Sequence, residues 1–153
     1  MVVREDGRFK MWYSGSDRDG NEFHRIGYAE SVDGVNWERL DEPVLSPPDP
    51  DVYFSVPAVL RDARGEVLRQ NGRLMMWITG HNLMCDLRLC TSEDGIAWRV
   101  ETPEPISTEV YSPTVIYEDG VYKMCTHTSP TTAQWPSSTP LAGTDWTGPT
   151  MGR

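Results

Sequence analysis

A pattern of seven residues, Ser-x-Asp-Gly-x-x-Trp, is written twice in this chain, at Ser31, Asp33, Gly34 and Trp37 and again at Ser92, Asp94, Gly95 and Trp98. Ahead of each copy the apolar residues alternate, Ile26 and Tyr28 in the first and Leu87 and Leu89 in the second. That period of two reads as a strand running into a tight Asp-Gly turn. A unit repeated in register restricts the chain to folds assembled from copies of one element. Residues at repeat-equivalent positions then serve the scaffold before anything else.

The flanking sequence extends the unit in both directions. Residues 6–15 match residues 71–80 position by position, with Trp12 facing the same place in the pattern as Trp77. Phe9, Met11 and Tyr13 alternate with Lys10, Trp12 and Ser14, so both faces of this strand are partly apolar, as expected of a sheet covered on both sides. Asx-Gly pairs at Asp6, Asn71 and Asp119, together with Asp33 and Asp94, supply the positive φ that short hairpin turns require. Pro43, Pro47, Pro48 and Pro50 close the first unit, because proline cannot donate to a ladder. The second unit carries an insertion at residues 61–70, and the repeat continues with Pro113 and the turn at Asp119. Four strands per unit with antiparallel turns is the pattern of a propeller blade. The expected fold is therefore all-β, a partial β-propeller of two and a half four-stranded antiparallel blades, spanning 2–46, 52–107 and the start of a third at 111–124.

The alternation is expected to end after Met124, where Cys125 stands in the place held by Trp12 and Trp77. Residues 125–153, rich in Ser, Thr, Pro and Gly, are expected to be irregular, either as a disordered tail or as the product of a frame slip near Cys125. The first unit starts abruptly at Met1 with no long apolar run, which leaves the compartment open. An incomplete propeller would expose strand edges and is expected to self-associate through them.

Charge narrows the partners. With 23 acidic residues against 14 basic and a formal charge of -9, the chain lacks the cations that nucleic acid or an anionic membrane requires. Cys85, Cys90 and Cys125 have no metal-ligand spacing and are read as small apolar fillers. His24, His81 and His127 fall one to a unit but at inequivalent positions, which favours loop histidines over a metal cluster. No cofactor is expected.

In an antiparallel four-stranded blade the first and third turns share one end, so all five Asx-Gly turns lie together. Function concentrates in variable loops on a rigid scaffold, and the variable loops here are at the other end. That end holds Asp17, His24, Asp49, Asp51, Tyr53, His81, Asn82, Asp86, Glu109 and Tyr111.

The segments DGRFKMWYSG, HRIGYAESVDGVNWERLDEPVL and SPTVIYEDGVYKM, at residues 6–15, 24–45 and 112–124, resemble blades of the five-bladed β-propeller glycosidases, the arabinanase, levansucrase and invertase superfamily with glycoside hydrolase families 43, 32, 68 and 130. The resemblance implies an axial pocket ringed by carboxylates at the starts of the innermost strands, one acting as general acid and another as base or nucleophile. Several members place an acid at, or just before, the proline that opens a blade. This chain departs from that pattern, having Ser55-Val56 before Pro57 and Tyr111-Ser112 before Pro113. The nearest acids, Asp51 and Glu109, become the catalytic candidates, with Tyr53, His81, Asn82 and Tyr111 as substrate-binding candidates. The implied activity is hydrolysis or phosphorolysis of a neutral oligosaccharide, with this chain alone inactive. The alternative is a non-catalytic carbohydrate-binding or assembly propeller.

Overall fold

The computed structural model describes residues 1–16, 24–49, 51–81, 85–101 and 104–128. They are all-β. Among the described residues no helix is long and apolar enough to cross a membrane.

The first sheet is a meander of β1 (Val2–Glu5), β2 (Arg8–Gly15), β3 (Arg25–Ser31) and β4 (Glu38–Arg39), in that order. The second sheet contains β5 (Tyr53–Val59), β6 (Arg69–Gln70), β7 (Arg73–His81), β8 (Cys85–Ser92), β9 (Arg99–Val100) and β10 (Ser107–Thr108). Here β5 and β6 share one edge of β7, while β9 and β10 share the far edge of β8. The repeat survives in detail: the Val44 amide donates to the Ile26 carbonyl, and the Ile106 amide donates to the equivalent Leu87 carbonyl. A hairpin of β11 (Val110–Glu118) and β12 (Val121–Thr128) forms the third sheet. Its second strand continues past Met124 through Cys125 to Thr128.

Three of the Asx-Gly pairs make true two-residue turns. Asp6-Gly7, Asn71-Gly72 and Asp119-Gly120 have φ of 52° and 78°, 51° and 78°, and 54° and 81°, the two positive values a type I′ hairpin needs. The expectation of a tight turn at Asp33-Gly34 and Asp94-Gly95 is corrected. Only the glycines have positive φ there, 74° and 84°, and the pairing of Glu30 with Glu38 leaves residues 31–37 as a broader loop. Side chains organise that loop. Ser31 Oγ accepts the Gly34 amide at 2.9 Å, and Asp33 Oδ1 accepts the amides of Val35 and Asn36 at 2.8 Å each. Ser92 and Asp94 repeat these bonds with Gly95, Ile96 and Ala97.

Two cores alternate with the sheets. Val3, Trp12, Ile26 and Tyr28 of the first sheet meet Leu74, Met76, Ile78, Cys90 and Trp98 of the second. On the other side, Leu60, Trp77 and Leu87 meet Val115. Strand β7 feeds both, its even residues packing one way and Trp77 the other, which is why its sequence is apolar on both faces. Each such large side chain contributes about 1.5–3 kcal/mol on burial. Cys90 is a buried filler as expected, its thiol pushed up to about 12 by burial against the opposing pull of Arg88. Cys125 is exposed, which corrects the filler reading for that residue.

The insertion at residues 61–70 is structured. Glu66 bridges in parallel to Arg4 of β1, and Arg61 bridges both to Val67 and, in parallel, to Ile116 of β11. It ties the innermost strands of all three sheets together near the turn end, leaving the loop end as the place for a site.

Candidate functional site at the loop end

The site is organised by two repeat-equivalent breaks in the innermost strands. Strand β5 loses register between Ser55 and Ala58, and β11 loses it between Tyr111 and Thr114. Within these breaks Val56 and Ser112 have φ of 49° and 54°, a conformation costing a β-branched valine on the order of 1–3 kcal/mol. Pro57 and Pro113 follow, each without an amide to give the ladder.

What over-determines the break is a hydroxyl from the preceding sheet. The Val56 amide donates to Ser14 Oγ at 2.8 Å, and the Ser112 amide donates to Thr79 Oγ1 at 3.2 Å. Ser14 and Thr79 occupy matching positions in residues 6–15 and 71–80, so the device is built twice. Bulges of this kind re-aim side chains next to binding sites, and backbone strain persists where surrounding structure enforces it.

Around the first break lies a cluster of polar and aromatic groups. Tyr53 pairs with His81 across β5 and β7, and the His24 ring is 6.2 Å from that of Tyr53. Cys85 Sγ lies 3.2 Å from His81 Nδ1. Burial holds His81 below the usual imidazole range against the pull of Asp86, and burial together with Asp86 holds the Cys85 thiol up. Both groups are therefore neutral near pH 7. Arg88 donates to both oxygens of Asp86, at 2.9 and 2.7 Å. The carboxylate lies against Gly80, where a Cβ would stand 2.3 Å from Asp86 Oδ1, so glycine is what admits the pair. At the second break, Tyr111 pairs with His127, their rings 5.5 Å apart. The surface combines aromatic faces, neutral hydrogen-bonding groups and one internally compensated ion pair, a chemistry suited to an uncharged polyhydroxylated ligand. Among the described residues no group of three His, Cys, Asp or Glu could hold a metal.

The predicted residues are placed as follows. Tyr53 and His81 are joined directly. Glu109 is exposed with φ of 61°, and its amide donates to the Cys85 carbonyl at 2.8 Å, setting it beside the His81 and Cys85 group. Asp51 is exposed in the turn before β5, its amide donating to Asp49 Oδ1 at 2.9 Å. Tyr111 belongs to the second break. Asn82 and Asp17 lie outside the described residues. Sequence reasoning missed Ser14, Thr79, Val56, Ser112 and Arg88; the match of Ser14 with Thr79 in the repeat was the available signal.

The turn end offers a hollow of about 380 Å³ beside Arg73, Ser92, Asp94 and Trp98. Its Ser92 and Asp94 side chains are engaged by the loop amides.

No family model matches the chain. It is 34% identical over 104 residues to an uncharacterised protein of Mycobacterium tuberculosis, covering 64% of this chain and 32% of that protein. It is 31% identical over 106 residues to a 1,2-β-oligomannan phosphorylase of a Thermoanaerobacter species, covering 63% of this chain and 34% of that one. The chain thus spans about a third of the length of the curated relatives it matches. Among solved structures, a provisionally assigned glycoside hydrolase of Bacteroides ovatus superposes with a TM-score of 0.51 at 29% identity, over 65% of this chain and 28% of that one. A family 32 β-fructofuranosidase of Bombyx mori superposes with a TM-score of 0.61 at 20% identity, over 79% of this chain and 27% of that one. The chain is all-β and shares its fold with β-propeller glycosidases.

Proposed function

We propose that these blades belong to a glycosidase-like propeller that binds a neutral oligosaccharide at the loop end and cleaves its glycosidic bond by hydrolysis or phosphorolysis. The observation that carries this is the pair of strained, hydroxyl-pinned breaks at Val56 and Ser112, which lie where the resemblance puts the rim of the axial pocket. Relatives named as a phosphorylase and as a glycoside hydrolase weigh toward catalysis and against a purely binding role.

In this reading Tyr53, Tyr111, His81 and Asn82 bind sugar rings and hydroxyls, and Glu109 and Asp51 are the carboxylates. One protonates the departing glycosidic oxygen as the bond to the anomeric carbon breaks. In hydrolysis the other activates water or attacks the anomeric carbon; in phosphorolysis inorganic phosphate attacks instead, and one acid suffices.

The test is an NMR titration of the chain with β-1,2-linked mannooligosaccharides and other neutral oligosaccharides. Perturbations at Tyr53, His81 and Tyr111 are expected. Perturbations confined to the loops at 31–37 and 92–98 would contradict the placement.

A further inference from the structure

The two strand breaks are built alike and are not equally secure. Each holds one residue at positive φ, Val56 at 49° and Ser112 at 54°, through one hydroxyl of the preceding sheet. The surroundings of those hydroxyls differ. Thr79 is fully buried, so water has no access to its Oγ1, whereas Ser14 is exposed. Water can replace the Ser14 hydroxyl as partner of the Val56 amide. That exchange weakens the restraint, although at 2.8 Å against 3.2 Å the Ser14 bond is the shorter of the two.

The strain opposed by each hydroxyl differs as well. A β-branched residue tolerates positive φ least, and the residue before a proline is pushed toward extended conformations. Val56 meets both conditions; Ser112, before Pro113, meets only the second. The larger strain is thus set against the weaker restraint. Strain at such a residue and the net worth of one hydrogen bond are of the same order. A single hydroxyl therefore decides which conformation Val56 populates.

We propose that Ser14 is a releasable latch on the first break and Thr79 a fixed pin on the second. With the latch made, Val56 stands at positive φ and β5 changes register between Ser55 and Ala58. With it lost, Val56 returns to the extended region that valine and the following proline favour. Tyr53, paired with His81, leads into the latched break, and Glu109 and Tyr111 lead into the pinned one. The loop end thus has an adjustable half and a fixed half. On the proposed function, on which this consequence rests, the oligosaccharide binds the latched form, which makes Ser14 a positioning residue acting through Val56.

NMR of the full chain reads the latch without any ligand, because positive φ brings an amide proton close to its own Hα and gives a strong intraresidue Overhauser effect. In the native chain Val56 and Ser112 should both show it. The Val56 amide should exchange at least about tenfold faster than the Ser112 amide, after allowance for intrinsic rates, through local opening. In Ser14→Ala the Val56 effect should fall to that of an extended residue while Ser112 keeps its own. Ser14→Thr, which supplies the kind of hydroxyl that Thr79 uses, should recover it. Ser14 is exposed, and unchanged circular dichroism will show that both variants fold. Titration with β-1,2-linked mannooligosaccharides adds the functional reading: affinity scales with the latched fraction, falling about tenfold or more in Ser14→Ala and returning in Ser14→Thr. A native chain that binds none of these sugars would remove the proposed function, while the Overhauser and exchange readings still decide the latch. A strong Val56 effect that survives Ser14→Ala, a Val56 amide as protected as that of Ser112, or an affinity that Ser14→Ala leaves unchanged would overturn the proposal.

Discussion

The two copies of the Ser-x-Asp-Gly-x-x-Trp unit share a core set of internal hydrogen bonds, to which the first adds a bond from the Asn36 side chain to Asp33 Oδ2, and they have different surroundings. In each, a serine hydroxyl accepts the glycine amide at 2.9 Å, an aspartate accepts two amides at 2.8 Å, and the tryptophan indole donates to the glycine carbonyl. In the second copy Trp98 is buried edge-on against Trp12, ring centroids 5.9 Å apart. In the first copy Trp37 is half-buried and Val35 is open. The loop's conformation is therefore local, while its contribution to stability comes from the sheet stacked on it.

The tryptophans should separate the copies most. Trp12→Ala and Trp98→Ala are each expected to cost about 3–5 kcal/mol in urea unfolding, against about 1 kcal/mol for Trp37→Ala, which loses far less buried area. Equal costs for Trp37 and Trp98 would break the comparison. The glycines come next. Both have positive φ, so alanine at either costs about 1–2 kcal/mol of backbone strain. Gly95→Ala adds a clash with Trp12 and with Leu74 Cδ1 at 3.2 Å, a further penalty of about 1–3 kcal/mol. Gly34→Ala should show only the strain, measured in the same unfolding series.

The serines should not separate the copies. Ser31→Ala removes the acceptor of the Gly34 amide and of a longer bond from the Asp33 amide, Ser92→Ala the acceptor of the Gly95 amide, and each is expected to cost about 1 kcal/mol. A large difference would mean that the local bonds depend on stacking after all. The smallest effect is the pH response. Backbone amides hold Asp33 well below the usual carboxylate range and Asp94 below it. A depressed folded value means that their stabilising effect is fully present above the unfolded value of about 3.9 and is lost as pH falls through the lower folded values. In acid titrations followed by circular dichroism, Asp33→Asn should flatten the acid limb of the stability profile more than Asp94→Asn does, because the Asn36 side chain adds a donor to Asp33 that Ala97 cannot give Asp94.

Much of the fold was legible because its signals are local and repeated. Alternation at Phe9, Met11 and Tyr13, the Asx-Gly turns and the paired Trp12 and Trp77 all act within a few residues or in register. Less legible was anything decided between sheets. The loop at 31–37 reads like the hairpin at Asp6, because both contain Asp-Gly; only the number of residues between paired Glu30 and Glu38 tells them apart. The insertion at 61–70 has no repeat partner, so nothing in the pattern indicated its bridges to Arg4 and Ile116. For the site, Tyr53, His81, Glu109 and Tyr111 could be assigned to one end of the blades from turn parity alone. The pinning of Val56 by Ser14 could not, because the bond joins residues 42 apart and a positive φ at valine runs against its intrinsic preference.

Hydrogen exchange of the indole N–H groups tests the central claim most directly, since one technique reads both copies in one sample. Trp12 and Trp98 donate to the buried Gly95 carbonyl, and Trp37 donates to the exposed Gly34 carbonyl. If stacking confers the stability, Trp12 and Trp98 exchange only on global unfolding, and Trp37 exchanges faster by about two orders of magnitude or more through local opening. Equal protection of Trp37 and Trp98 in dilute monomeric chain would contradict it, because the bonds within the loop would then be sufficient by themselves.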